Sequence, residues 1–439
     1  MMIFDWEREL SMVQRPSQYI GWEIGSNARY LLDDSSRYSA RIVIFCPQPY
    51  YKAMSNRLVT SLYKKLSVIE GLAVERMFLP EESLRGSLRE SGFDCGLFTL
   101  ETKSPAASAD VIICVPDAAA CDETDKLIKA VGREKVIPID SQEEGRDDDI
   151  IAMVAKKTKK DLKADAQERA QRERAILPYC AHLHTKAVLR NVCGYEAQMH
   201  SMGGHAAARV GEPVRYRMQL KRHGLARFLS HLEQIQVIKA AIIKSSLPLA
   251  YSGKQLKPRM SFGPAVSVGW ESDVEYADYE LTVQRTLPDC AKAIAKVLPH
   301  GFSLAEIKKI PRHFPSLEES LNQVEFHICS RGAGVADLSL FCDAACEFLG
   351  SDRRDVTVRK EKSKGRVEVV NVKDVLCSVK TNGGSGIIIK MGFGPKRNLK
   401  PERVLETLGG FSDDVIKSQF RITRTSLALD IGDGRVRYP

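Results

Sequence analysis

Val214-Arg215-Tyr216-Arg217-Met218-Gln219-Leu220 alternates with a period of two, and soon afterwards, from Ser230 to Ser245, the apolar spacing becomes helical. The helix start carries a capping box, in which Ser230 can cap while Glu233 reaches back. Two strand patterns follow, Arg259 to Phe262 and Tyr276 to Gln284, then a helix from Pro288 to Val297. This β-α-β-β-α-β order predicts a ferredoxin-like unit. A similar set comes next. Gln323 to Ser330 reads as a strand, Ser339 to Leu349 as a helix, and Val356 to Lys362 with Arg366 to Val370 as a hairpin. Gly386 to Gly392 is a further strand, Pro401 to Leu408 a helix with proline in its first turn, and Phe420 to Ala428 the closing strand. The expected C-terminal architecture is two ferredoxin-like α+β sandwiches in tandem.

Upstream, residues 41–140 alternate strand and helix. Strands are expected at 41–46, 72–79, 97–100, 109–115 and 135–139, and helices at 54–69, 82–91 and 123–131. Buried strands alternating with helices predict an α/β domain, a flavodoxin- or Rossmann-like parallel sheet with any ligand at the strand C-terminal ends. Gln48, Tyr50 and Asp117 lie in the corresponding loops, where caps and loop filler are the commoner roles. The sequence contains neither a Gly-x-Gly-x-x-Gly after the first strand nor a Walker loop, so a cradled nucleotide is unsupported. Residues 151–177 alternate charge sign without Pro or Gly and predict an exposed connecting helix bearing Lys156, Lys157, Lys159 and Lys160. The expected division is 1–150, a 151–177 linker, a Cys/His segment at 178–212, and two halves at 213–320 and 321–439.

The 439 residues are 44% hydrophobic and 28% charged, as in a globular chain. The start, Met1-Met2-Ile3-Phe4-Asp5-Trp6-Glu7, has acids where a signal peptide places an apolar core, and apolar runs such as 111–115 are far too short to span a bilayer. Eleven scattered cysteines suit reduced thiols. A cytoplasmic location without membrane contact is expected. The net charge of +9 is uneven, with about 36 Lys/Arg against about 25 Asp/Glu from Val214 onward. A basic half beside a near-neutral one suits a polyanion-facing module. The candidate nucleic-acid contacts are Lys221, Arg222, Arg227, His231, Lys254, Lys257, Arg259, Lys396, Arg397 and Lys400. Tyr216, Tyr251, Phe262 and Trp270 could stack on bases, although core packing is the commoner fate of each.

Several motifs in order carry a resemblance: Arg227-Phe228-Leu229-Ser230-His231-Leu232-Glu233, Leu247-Pro248-Leu249-Ala250-Tyr251-Ser252-Gly253, Met260-Ser261-Phe262-Gly263-Pro264 and Gly269-Trp270-Glu271-Ser272. With Arg421-Ile422-Thr423-Arg424-Thr425 they make residues from about 213 to 427 resemble the radical-SAM-associated domain of unknown function, which in other bacterial chains is joined to ribonuclease E/G-like sequences. In the first half, Pro16-Ser17-Gln18-Tyr19-Ile20-Gly21, Pro47-Gln48-Pro49-Tyr50-Tyr51 and Glu75-Arg76-Met77-Phe78-Leu79-Pro80 are similar to the cobalamin-binding-like domain of the same radical SAM family.

The barrel expected between those domains is missing. Its chemistry needs Cys-x-x-x-Cys-x-x-Cys, so that three thiolates leave one iron for S-adenosylmethionine. Cys193 is followed at those spacings by Ala197 and His200, and Cys342-x-x-x-Cys346 by Leu349. About 35 residues separate Pro178 from Pro213, whereas a barrel takes roughly 200. An iron-sulfur cluster and S-adenosylmethionine are therefore not expected. Nor is cobalamin, whose Asp-x-His-x-x-Gly pattern does not occur. Cys180, His182, His184 and Cys193 are weak metal candidates, at a spacing that fits no standard zinc pattern.

The leading expectation is a non-catalytic RNA- or ribosome-linked accessory module of a radical SAM-type system. The alternatives are a subunit that positions substrate for a separately encoded radical SAM enzyme, and a decayed inactive paralogue.

Overall fold

The computed structural model describes residues 4–21, 23–24, 38–67, 69, 71–115, 121–139, 147–158, 178–180, 212–252, 257–311, 313–331, 338–362, 366–382, 386–394, 399–432 and 435–439. The chain divides into two compact units, Met1–Ala206 and Ala207–Pro439. Both expected ferredoxin-like halves fall inside the second.

In the first unit the strands β1 (Ala40–Pro49), β2 (Leu72–Leu79), β3 (Val111–Cys114) and β4 (Val136–Pro138) form a parallel sheet in the order β2-β1-β3-β4. That order is flavodoxin-like, with the reversal between β1 and β3. Continuous apolar runs suit strands covered on both faces, and Ile42, Val43, Ile44, Ile112 and Ile113 are fully buried. Helices α1 (Arg57–Leu66), α2 (Glu82–Glu90) and α3 (Cys121–Val131) connect the strands. Asn56 starts α1 by accepting from the backbone N–H groups of Leu58 and Val59 at 2.9 and 3.3 Å.

Two expectations for this unit are corrected. Residues 97–100 are not a sheet strand: Phe98 bridges Pro105, and the resulting loop lies along the outer edge of β2. There Leu100 N–H donates to the Arg76 carbonyl at 2.7 Å, and Arg76 N–H donates to Glu101 Oε2 at 2.7 Å. A loop fixed by a carboxylate covers the edge as a strand would. Secondly, α4 (Asp147–Thr158) is not a free connector, because it buries Ile150 and Val154 in contact with α1 and β3. Lys159, Lys160 and the rest of the expected helix to residue 177 lie outside the described residues, as does Asp117. Tyr50 is buried with its ring 4.9 Å from that of Phe78, a packing role.

The second unit is built on a nine-stranded sheet. Its first half is β5 (Val214–Arg222), α5 (His231–Lys244), the hairpin β6 (Tyr251–Ser252) and β7 (Lys257–Pro258), β8 (Met260–Phe262), β9 (Glu271–Leu281), α6 (Leu287–Val297) and β10 (Phe302–Ile310). The pairing order β10-β5-β9-β8 is antiparallel throughout and matches the ferredoxin-like order of fourth, first, third and second strands. The expected capping box is present: Ser230 N–H donates to Glu233 Oε2 at 2.7 Å, and Glu233 N–H to Ser230 Oγ at 3.4 Å.

The second half runs β11 (Gln323–Ser330), α7 (Leu338–Gly350), β12 (Thr357–Lys362), β13 (Arg366–Asn371), β14 (Leu376–Thr381), β15 (Gly386–Gly392), α8 (Pro401–Gly409), α9 (Asp413–Gln419) and β16 (Phe420–Asp430). Its order β16-β11-β15-β14 repeats the pattern. Here the expected hairpin is present, and one strand is added to the expected set. The 356–370 hairpin forms a separate two-stranded sheet, and the second strand of the fold is β14.

The halves join edge to edge. β9 gives its outer edge to β8 over residues 277–279 and, further back, pairs in parallel with β16 at Glu271↔Thr423 and Ser272↔Arg424. One apolar core runs through both, with Trp270 and Tyr276 of the first half beside Phe326, Ile389 and Leu427 of the second. The Trp270 and Phe326 rings meet edge to face at 5.0 Å.

Candidate nucleic-acid interface

Strand alternation sends Tyr216, Met218, Leu220 and Arg222 of β5 to the helix-covered face of the sheet, so Arg222 enters the interior together with its neighbours. Its guanidinium donates to Gln234 Oε1 at 2.5 Å and to the carbonyls of Arg227 and Leu229 at 2.5 and 2.7 Å. Gln234 Nε2 in turn donates to Glu275 Oε2 at 2.8 Å. From across the seam Arg424 pairs with Glu275 Oε1, and it also donates to the Pro264 carbonyl at 3.3 Å and Ser272 Oγ at 3.4 Å. Burial favours a neutral Glu275, but Arg424 and then Arg222 outweigh it and hold the carboxyl below its ordinary range. Burial also pulls Arg222 down to about 10, still charged at neutral pH.

Two proposed phosphate contacts are thereby corrected. Arg222 and Arg227 are both 0% exposed and cannot reach a polyanion, and Arg227 lies 3.8 Å from Glu271. The charge pattern suggested a surface, but the Arg222 guanidinium bonds an inner amide oxygen and two inner carbonyls, and that of Arg227 lies near an inner carboxylate. His231 is partly exposed at the first position of α5, and burial lowers its pKa. Tyr216 and Trp270 are core residues. Tyr216 stacks on Tyr279 at 5.5 Å and donates to the Arg285 carbonyl at 2.8 Å, while Trp270 Nε1 donates to Glu402 at 2.5 Å.

A different surface gathers the remaining candidates. The β6–β7 hairpin continues past the end of β9, where Arg259 N–H donates to the Ala250 carbonyl at 2.8 Å and Glu280 N–H to the Arg259 carbonyl at 3.1 Å. This places Lys257 and Arg259, both exposed, beside the partly exposed Tyr251 and Phe262. From α5 the Lys239 ammonium lies 5.6 Å from the centroid of the Phe262 ring. Its pKa is lowered, first by burial and then by the nearby Lys257 charge. Arg259 is shared with Glu280 at 3.1 Å. An aromatic face with two ammonium groups beside it can stack a base and contact its flanking phosphates.

Lys239 was not among the sequence candidates, because it sits in the apolar run Val237-Ile238-Lys239-Ala240-Ala241 and reads as an isolated helix charge. Only the placement of β8 beside α5 joins it to Phe262 and Lys257.

Lys221 and Lys400 lie apart from this group. Lys221 is 47% exposed, 3.6 Å from Asp273, and Lys400 is exposed at the start of α8. Lys254, Lys396, Arg397, His182, His184 and Cys193 lie outside the described residues, as does the side chain of Cys180. Among the described residues no three His, Cys, Asp or Glu side chains are grouped to hold a metal, and no helix is long and apolar enough to cross a membrane. Cys342 is buried and Cys346 exposed on α7, with the Cys346 thiol 3.7 Å from the Val379 carbonyl.

No curated protein matches the chain. Residues 215–401, from β5 to the first residue of α8, match a family described as an uncharacterized protein conserved in bacteria. Within the second unit this stretch is thus similar to that uncharacterized bacterial family, DUF2344.

Proposed function

We propose that the C-terminal unit binds single-stranded RNA through the surface around Phe262, as a non-catalytic accessory module of a radical SAM-type system. The carrying observation is the Lys239 ammonium over the Phe262 ring, with exposed Lys257 beside it. Stacking on Phe262 would give sequence-tolerant affinity, and the two lysines would supply a salt-dependent share. The excess of Lys/Arg after Val214 favours the same polyanion. The radical SAM link rests on the resemblance of the sequence motifs. No cofactor enters this reading.

Anisotropy of a labelled single-stranded RNA against the full chain tests it. Combined replacement K239A, K257A and F262A should weaken binding by about 10- to 100-fold and lower the salt slope by about 1 to 2. Unchanged affinity in a variant that melts like the parent would refute the assignment.

A second reading, docking onto a separately encoded radical SAM protein, is favoured by the outer face of α5. There Leu232 is 73% exposed, and Ile235 and Ile243 are partly exposed along the same side. Leu232→Glu should abolish co-purification of such a protein while leaving RNA affinity in place; retained capture would count against docking through this face.

A further inference from the structure

The sheet of the second unit ends at β10, which pairs with β5 along one side. Among the described residues no strand pairs with its other side. Alternation sends Phe302, Leu304 and Ile307 to the helix-covered face, in register with Arg222, Leu220 and Met218 of β5. α6 runs over that face, but the groove between helix and strand is not filled and holds a cavity of about 670 Å³. The cause is side-chain size. Cys290 and Ile294 of α6 are fully buried, whereas the flank that lines the groove carries Ala291 and Ala295, with one methyl group each. Leu287, 42% exposed, belongs to the same wall.

A sheet side left without a partner invites wrong pairing, and β10 carries two guards against it. Ala305 is an extra residue, a bulge between the pairs Leu304↔Leu220 and Glu306↔Gln219. Beyond the bulge the strand is charged. Lys308 is shared with Glu306 at 3.1 Å, while Lys309 donates to the uncharged Gln284 at 2.8 Å. On α6, Lys292 and Lys296 are exposed one turn apart, and among the described residues neither lies within ion-pair distance of a carboxylate. The groove thus has an apolar floor and a cationic rim. Two copies of the chain joined side by side would set these lysines against each other, which excludes a second copy as a favourable occupant.

We infer that this groove takes an extended acidic peptide of a partner protein, added as a further strand along β10. The backbone groups of β10 bind the peptide main chain, and every second side chain of the peptide enters the apolar groove. Carboxylates of the peptide meet Lys292, Lys296 and Lys309. Strand addition also accounts for the two alanines, because a larger residue at either position would fill the space an incoming side chain needs. A nucleic acid would use the lysines alone and leave both the apolar floor and the strand without a partner. The inference is independent of the surface around Phe262 and uses none of its residues.

The test is fluorescence anisotropy of a labelled heptapeptide of alternating glutamate and leucine, titrated with the full chain. Saturable binding is expected, and the same peptide with lysine for glutamate should bind more weakly by about tenfold or more. Two further probes carry N-methyl groups on alternate amides, one set in each phase. A strand bonds its partner through every second residue, so one methylated form should lose binding and the other keep it. Ala295→Phe should weaken binding by about tenfold or more by filling the groove. The pair K292E and K296E should weaken it by about 5- to 20-fold and shift preference to the lysine peptide. Both lysines are exposed, so this variant should melt like the parent and keeps the test decisive if the phenylalanine variant does not. No saturable binding of the glutamate peptide, equal binding of the two methylated forms, or an unchanged affinity in the K292E and K296E variant overturns the inference. So does a loss of single-stranded RNA affinity in that variant without peptide binding by the parent, which would make the rim a nucleic-acid contact.

Discussion

Replacing Arg424 with alanine is expected to destabilise the C-terminal unit by about 3–5 kcal/mol, the cost of leaving a buried carboxylate without its partner. Arg424 and Glu275 have side chains 3% and 6% exposed, so water cannot take over the lost bonds. Arg222 offsets the loss only in part, since it acts on Glu275 through its charge while its guanidinium is held by Gln234 and by the Arg227 and Leu229 carbonyls. The carbonyls of Pro264 and Ala265, which also accept from Arg424, lose that donor too. Urea unfolding gives the magnitude. Hydrogen exchange should show peptides covering 271–281 and 420–430 opening first, because the pair bridges the two halves at that seam. The pH dependence carries a sign. Glu275 sits below its unfolded value, so its contribution is present above about pH 4.3 and fades as pH falls through the folded value. The variant has lost the share of that contribution that Arg424 supplies, the largest one, so its deficit should narrow on acidification. A deficit below about 1 kcal/mol, or one that widens in acid, would contradict the role given to Arg424.

A comparable loss, again about 3–5 kcal/mol, is expected in the first unit for Arg76→Ala. Arg76 and Glu101 are 4% and 0% exposed and meet at 2.6 Å. The guanidinium also covers the Tyr63 ring at 4.3 Å and reaches Met54 Sδ at 3.5 Å. Glu101 is the residue that ties the 97–105 loop to the edge of β2, so the variant should release that edge. Peptides spanning 72–79 should then exchange faster, and protease should cut near residue 100. Arg76→Lys keeps the charge without the planar fork and should fall between the two. Equal stability of the alanine variant and the parent would show that the pair is not what holds the loop.

Much of this fold is legible in the residues, and its failures have physical causes. The period of β5, the capping box at Ser230 and Glu233, and the apolar runs of β1 and β3 are local signals, and the structure follows them. The β12–β13 hairpin has the same kind of local signal and forms as read, although outside the main sheet. Short, polar Leu376-Cys377-Ser378-Val379-Lys380-Thr381 does not advertise itself, yet it pairs with β15 and takes the second-strand place. Only long-range pairing separates these cases. Charge misled in a related way. Arg222 looks like a surface cation until Gln234, itself bonded to the distant Glu275, arrives to receive it, and Arg227 until β9 brings Glu271 to within 3.8 Å. The Lys239–Phe262 contact was missed because its members belong to different elements.

The place of β16 bears on how the chain is made. It follows nearly every other strand in synthesis, yet it lies mid-sheet, hydrogen-bonded to β9 on one side and β11 on the other. Until Phe420–Asp430 has emerged, a nascent chain holds two half-sheets with open edges that any extended peptide could extend. Closure is thus a late, long-range event, slow by its topology and exposed to aggregation meanwhile. Ending translation shortly before Phe420 would be expected to yield insoluble material rather than a smaller folded domain.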